Sequence, residues 1–262
     1  MNRITSPYHT VSPSPWPFFM AIATFCTAYG LIFYFWKHVI YLLIVGLLMM
    51  LGLFFIWCRD IIREATFQGA HSLRVVAMLK LGFILFVASE IMLFVSFFWG
   101  FFHSSLSPSI EIGSIWPPIG ISPISPLGLP LFNTAILLTS GASITWSHHA
   151  LVAGKKSQAL MACNITYLLG ILFTLIQLYE YKEASFSIAE GIYGTTFYML
   201  TGFHGGHVII GTLFIIVGYY RMRANHFTST RHVGFECAIW YWHFVDVVWI
   251  LLYLTVYCWG SL

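Results

Sequence analysis

"LFVASEIMLFV", residues 85–95, sets one carboxylate, Glu90, in the middle of a run with no other charge. Outward from it the apolar stretch extends from about residue 75 to 102. At 1.5 Å of rise per residue, a helix of that length crosses the roughly 30 Å hydrocarbon core of a bilayer. Six further stretches of similar character run from about 16 to 36, 39 to 57, 131 to 151, 158 to 179, 192 to 219 and 237 to 259. Composition agrees: 59% of the 262 residues are hydrophobic and only 8% charged, against about 25% charged in soluble domains. Nine acids and twelve bases cannot give a wettable surface to a soluble core of this size. The expected fold is therefore all-α, a polytopic membrane protein with seven transmembrane helices in a single membrane domain over residues 1–262. Nothing in it suits nucleic acid.

Proline placement supports unbroken spans, because proline in a helix interior removes a hydrogen bond and clashes with the preceding turn. Pro7, Pro13, Pro15 and Pro17 precede or open the first span, and Pro108, Pro117, Pro118, Pro123, Pro126 and Pro130 lie in one connection, 103–130. The five cysteines are scattered and never spaced as CxxC, so they read as small apolar fillers and not as a disulfide or thiolate metal framework. The opening residues show neither a cleavable apolar core nor an Arg-rich amphipathic run, so the chain is expected to be made in the compartment where it works, or to be bacterial.

If the N-terminus shares a side with the connections after spans two, four and six, that side holds Arg3, Arg59, Arg63, Arg74, Lys80, Lys155, Lys156, Arg221, Arg223 and Arg231; the other holds only Lys37 and Lys182. Basic residues collect on the inner side, which predicts the N-terminus inside and the C-terminus outside. Of the acids, Glu111, Glu180, Glu183 and Glu190 fall near the outer face, and Glu90 and Asp246 remain for the membrane interior.

A charge at a helix centre costs about 2.5–3.5 kcal/mol on insertion scales, so Glu90 is expected to face protein or water as a hydrogen-bonded group. Two readings stand: a neutral carboxyl fixing helix packing, or a proton-exchanging group. In "ECAIWYWHFVDVVW", His243 and Asp246 lie one turn apart and form a candidate buried polar pair. In "TGFHGGH", Gly202 and Gly206 have GxxxG spacing, which predicts close helix packing, while His204 and His207 lack the further ligands of a metal site. No two histidines are 13 or 14 apart, the spacing that clamps stacked haems on one helix, and the adjacent His148 and His149 diverge by about 100° around a helix axis. No metal ligand set, no catalytic residue and no redox centre is expected in this chain.

The connection "WCRDIIREATFQGAH", 57–71, gathers Arg59, Asp60, Arg63, Glu64 and His71 under Trp57. It reads either as paired charges ending two helices or as a phospholipid headgroup site, in which guanidinium groups grip phosphate and Glu64 or His71 holds an amine or hydroxyl. Arg221, Arg223, His226, Arg231 and His232 supply a second basic rim. The hydroxyl-rich face of span four, from Asn133 to Ser147, looks pressed against other helices, of this chain or of a partner.

These motifs together, with "SPWPF", "ASEIMLFVSFFWGFFHSSLSP", "WPPIGI", "LTSGASITWSHHAL", "GTTFYMLTGFHGGHVIIG" and "HVGFECAIWYWHFVDVVWILLYL" in order along nearly the whole chain, resemble the subunit III family of mitochondrial-type cytochrome c oxidase, a haem-copper terminal oxidase. The resemblance implies a two-helix group (16–57) and a five-helix group (75–259) separated by a cleft that holds phospholipids. It implies haem and copper in partner subunits I and II, further accessory subunits, and cytochrome c as the electron donor of the complex. It places the chain in the mitochondrial inner membrane, N-terminus in the matrix and C-terminus in the intermembrane space. Lipid-contacting roles, for anionic species among others, carry over to Arg59, Arg63, Glu64, His71, Trp99, His103, Arg221, Arg223 and His226, and Glu90 matches the family's intramembrane carboxylate. Two rivals fit less well. A secondary transporter would show interrupted helices and paired repeats, and a seven-helix receptor would normally have its N-terminus outside.

Overall fold

Long windows without proline or a run of charge have no local reason to stop being helical, and the described residues form seven long helices. A computed structural model describes residues 8–261; Arg3 and Pro7 lie outside the described residues. The helices are α1 (Trp16–Lys37), α2 (Tyr41–Thr66), α3 (Leu73–Leu106), α4 (Leu129–Val152), α5 (Lys156–Glu183), α6 (Gly191–Arg223) and α7 (Val233–Leu252). Each is continuous, as the proline pattern predicts. The polypeptide divides into two compact units, residues up to Leu79 and residues from Lys80 onward.

The first unit is built on the α1–α2 pair. Pro17 sits in the first turn of α1, where its missing N–H costs nothing, and α1 ends at His38, whose backbone is left-handed (φ 56°) and whose N–H caps Tyr34 O at 2.8 Å. The two helices close on each other through glycine. A Cβ at Gly30 would fall 2.5 Å from Leu43 N, and one at Gly46 would fall 2.7 Å from Thr27 Oγ1. In a bilayer, where apolar burial cannot drive association, close backbone approach of this kind supplies the contact. Only Ala23, Gly30 and Gly46 are buried on these helices, and large side chains such as Phe25 and Phe35 stand exposed, as a lipid-facing pair requires.

α2 runs about nine residues past the expected end of its span. The charged stretch 59–66 is therefore the last turns of a helix and not a connection, because the apolar count stops where the lipid stops while helical hydrogen bonding continues into the interface.

In the second unit α4 to α7 pack around Trp242, Trp249, Phe173, Phe197, Phe235 and Tyr257, all nearly or fully buried. Six of the seven helices are long and apolar enough to cross a membrane; α4 falls short on composition. The reason is its environment. Its polar side chains are spent inside the bundle: Trp242 Nε1 donates to Ser140 Oγ (2.9 Å), Trp249 Nε1 to Thr134 Oγ1 (3.0 Å), Ser147 Oγ to Ala159 O (2.8 Å), and the Ser143 and Thr166 hydroxyls meet at 2.7 Å. The hydroxyl-rich face is thus pressed against α5 and α7 of this same chain.

α3 approaches no other helix by backbone as closely as α4 to α7 approach one another. It reaches them through long side chains, with Phe94 and Phe101 buried and Phe97 against Phe203 at 4.8 Å between ring centres. After Leu252, α7 widens into a π-helical stretch, Tyr253–Cys258, before a final 3-10 turn. The last helix therefore starts four residues before the expected span and loses regular α geometry before its end.

The GxxxG glycines make no close helix contact with the described residues of this chain. Among the described residues, nothing lies within 4 Å of a Cβ built at Gly202, Gly205 or Gly206. The glycines of close approach in this unit include Gly170, Gly211 and Gly141, where a Cβ would meet Trp242 or Asp246. Spacing alone marks small residues along a helix but does not say which face meets a neighbour.

Candidate functional site

Glu90, on α3, meets His207 on α6: Oε2 lies 2.7 Å from Nε2. His207 Nδ1 lies 2.6 Å from Phe203 O. A carbonyl only accepts, so Nδ1 carries a hydrogen, and one further proton sits between Nε2 and the carboxylate, held by one partner or the other. The pair is enclosed by Phe94 and Phe244, which meet the imidazole edge-on, and by Tyr241 stacked on it. Among the described residues Glu90 has no other polar partner in this chain, and the His207 side ends on a backbone carbonyl. Among the described residues the arrangement shares a proton and ends at the Phe203 carbonyl.

His204, three residues earlier, turns to a different neighbour. Its Nε2 lies 3.2 Å from Val245 O and its ring packs on Trp249 and Phe173. The two histidines of "TGFHGGH" therefore serve separate contacts.

His243 and Asp246 do lie together, at 3.7 Å, which is ion-pair distance but beyond hydrogen-bond reach. Asp246 is 7% exposed and turned toward Gly141, whereas the His243 side chain is 43% exposed. Thr145 Oγ1 donates to Gly141 O (2.9 Å), so the His243 Nε2–H donates to Thr145 at 3.2 Å, tying the ring to α4. Only one member of the candidate buried pair is buried.

One of the acids expected near the outer face is enclosed by protein. Glu180, 2% exposed, accepts from Tyr257 Oη at 2.6 Å and Gln177 Nε2 at 3.1 Å, and Gln177 Oε1 in turn accepts from Asn133 at 3.4 Å. This network joins α4, α5 and the π-helical end of the chain. Nothing local in the sequence marks this enclosure, because the partner Tyr257 lies 77 residues away.

The charged turns of α2 centre on Asp60. It accepts from Trp16 Nε1 (2.8 Å) and from Arg59 (2.9 Å), with Arg63 Nη1 at 3.9 Å. Arg63 is 58% exposed. Glu64 stands 3.9 Å from His9, whose ring meets His71 edge-on. On the same two helices Met20, Phe54, Trp57 and Ile61 line an apolar depression. Asp60, Trp16 and His9 thus belong to the cluster although lipid contact is expected only of its bases, Glu64 and His71.

In the second unit Trp99 and His103 stack at 5.0 Å on α3, with Trp99 exposed. Arg221 lies over the Phe227 ring at 4.4 Å, and Lys156 Nζ donates to Arg223 O at 3.0 Å and to Asn225 Oδ1.

Comparison with known proteins adds an independent line. The profile of the family described as "Cytochrome c oxidase subunit III" matches residues 6–261. The chain is 52% identical to "Cytochrome c oxidase subunit 3" of Loxodonta africana over 261 residues, covering 100% of both chains. It is 54% identical to the protein of that name from Pelomedusa subrufa over 261 residues, again 100% of both. With that of Branchiostoma lanceolatum it shares 51% over 255 residues, 97% of each.

Proposed function

The chain belongs to the cytochrome c oxidase subunit III family, and from that membership we propose a division of labour that its residues suit. It is a multi-pass membrane subunit of the terminal oxidase, an oxidoreductase complex. In the proposal haem and copper reside in partner subunits I and II, which carry electrons from cytochrome c to oxygen and pump protons. This chain, built of a two-helix and a five-helix group, stabilises that core, holds phospholipid and helps supply protons on the inner side. The ten-to-two distribution of bases supports an N-terminus in the matrix and a C-terminus in the intermembrane space.

The observation that carries the lipid reading is the Asp60 cluster. Asp60 uses its oxygens on Trp16 and Arg59, while Arg63 sits at a looser 3.9 Å and is more than half exposed. Its guanidinium donors suit a phosphate, bidentately, and the apolar depression between α1 and α2 suits an acyl chain. The exposed Trp99–His103 stack and the Arg221–Phe227 cation–π pair are further aromatic-and-cation surfaces of the kind that meet headgroups. Glu90 we read as a structural, proton-sharing link between α3 and α6, without an obligatory charge.

The test is phospholipid retained by the purified oxidase. Arg63→Ala with His71→Ala is expected to lower retained phospholipid and to shorten the working lifetime of the enzyme. Unchanged lipid content and lifetime would overturn the lipid role.

A further inference from the structure

Two side chains one turn apart, His232 and Glu236, are joined by His148 from far away in sequence where α4 ends and α7 begins. His148 Nε2 and His232 Nε2 are 3.2 Å apart, and His232 Nε2 is 3.4 Å from Glu236 Oε1. The three ligating atoms all lie within 4.8 Å of one another. We propose that His148, His232 and Glu236 form a binding site for a divalent cation of borderline softness, zinc in particular.

The geometry argues for it in two ways. Zinc holds nitrogen and carboxylate oxygen at about 2.0–2.2 Å, so two ligands at a tetrahedral angle lie roughly 3.3–3.5 Å apart. Two of the three edges already have that length, and turning the Glu236 carboxylate toward His148 closes the third.

The second argument comes from hydrogens. His232 Nδ1 lies 3.0 Å from Thr228 O, so Nδ1–H donates to that carbonyl and the neutral ring presents a lone pair at Nε2. That lone pair faces a carboxylate oxygen and another imidazole nitrogen. A backbone carbonyl holding the far nitrogen of a histidine is also the usual outer support of a metal ligand, fixing its tautomer and orientation.

Lys80 does not block the site. Its ammonium pairs with Glu236 Oε2, while Oε1 is the oxygen turned toward the histidines. One carboxylate can bind a cation through one oxygen and a lysine through the other. Phe235 meets the His148 ring edge-on, and His232 is 5% exposed, so the rings are held in place. Two histidines and one carboxylate leave a fourth position open for water. Zinc has no redox chemistry, so the site would join the ends of α4 and α7 without acting as an electron carrier.

The deciding experiment uses the intact oxidase, stripped with a mild chelator, dialysed and then titrated with Zn2+. Bound metal is counted by elemental analysis and located by anomalous scattering at the zinc edge. One zinc between the three side chains, absent in His148→Gln and Glu236→Gln, is the expected result. The affinity loss should exceed about 100-fold, since even outer partners of a metal histidine change affinity about 10- to 100-fold. Equal zinc uptake by both variants and the parent, or no zinc density at these residues in the saturated parent, would overturn the proposal and leave the cluster holding a proton only. If the variants fail to assemble, the anomalous map of the unaltered enzyme decides alone.

Discussion

Glu90 and His207, 117 positions apart, meet at 2.7 Å inside the second unit, and the contact carries a proton between a carboxylate and an imidazole whose other nitrogen already donates to Phe203 O. The pair answers the cost of placing a carboxyl in a membrane helix: the group is paired instead of solvated. It also links α3, which keeps its backbone away from the other helices, to α6.

Glu90→Gln is expected to pump protons normally, because the amide still donates to His207 and, among the described residues, no side-chain hydrogen bond leads onward from the pair. Glu90→Ala leaves His207 without its partner. Polar contacts between membrane helices average about 0.6 kcal/mol and reach about 1.7 kcal/mol, so a double-mutant cycle of Glu90→Ala with His207→Ala, read by thermal release of this subunit, should give a coupling in that range. Loss of pumping in Glu90→Gln would instead show that an ionisable group is required.

The Glu180 network predicts a larger effect. Tyr257→Phe removes a 2.6 Å donor from a carboxylate that is 2% exposed. Gln177 Nε2 remains on the same carboxylate oxygen, so the loss is one hydrogen bond, about 1.5–3 kcal/mol when the acceptor is charged. The variant should lower the temperature at which the subunit dissociates and should open the 253–261 end to proteolysis before the rest of the bundle.

The glycines separate cleanly by what a methyl group would meet. Gly170→Ala places a Cβ 2.6 Å from Thr212 Oγ1 and 2.7 Å from Trp242 Cη2, and Gly211→Ala places one 2.9 Å from Trp242 Cε3. Both should destabilise by about 1–3 kcal/mol, the usual cost of overpacking. Gly206→Ala meets nothing within 4 Å in this chain and should be neutral when this subunit is unfolded on its own in detergent. A defect of Gly206→Ala confined to the assembled oxidase would place a neighbouring subunit against that face.

Much of this architecture is legible in the sequence because its cause is local. The spans follow from apolar windows of bilayer length, and their continuity follows from where the prolines lie. What pairs with what has no local signature. Glu90 is visible as an intramembrane acid, but His207 becomes its partner only when α3 and α6 are laid side by side; a search for complementary polar residues in the middle of different spans could have suggested the match. Glu180 shows the converse, an acid whose place near a helix end resembles a surface charge until Tyr257 closes on it. The His148, His232 and Glu236 cluster escapes a spacing search for the same reason, since only two of its members share a helix end and the third arrives from α4.

The Trp16–Asp60 contact makes the last prediction, because it ties the start of α1 to the charged end of α2. Asp60 receives the indole N–H at 2.8 Å and the Arg59 guanidinium at 2.9 Å. Trp16→Phe keeps the ring's apolar bulk and removes the donor. With one donor gone, Asp60 should draw Arg63 in from 3.9 Å, and a guanidinium committed to a carboxylate competes less well for phosphate. The expected outcome is therefore reduced retention of phospholipid with little change in the stability of the α1–α2 pair, which Gly30 and Gly46 hold by close backbone contact. Exposed ion pairs contribute only about 0–1 kcal/mol, so a large stability loss is not expected. Lipid analysis of the purified variant beside a thermal melt separates the two effects: a lower melting temperature with full lipid content would make the indole contact a helix clamp with no bearing on Arg63.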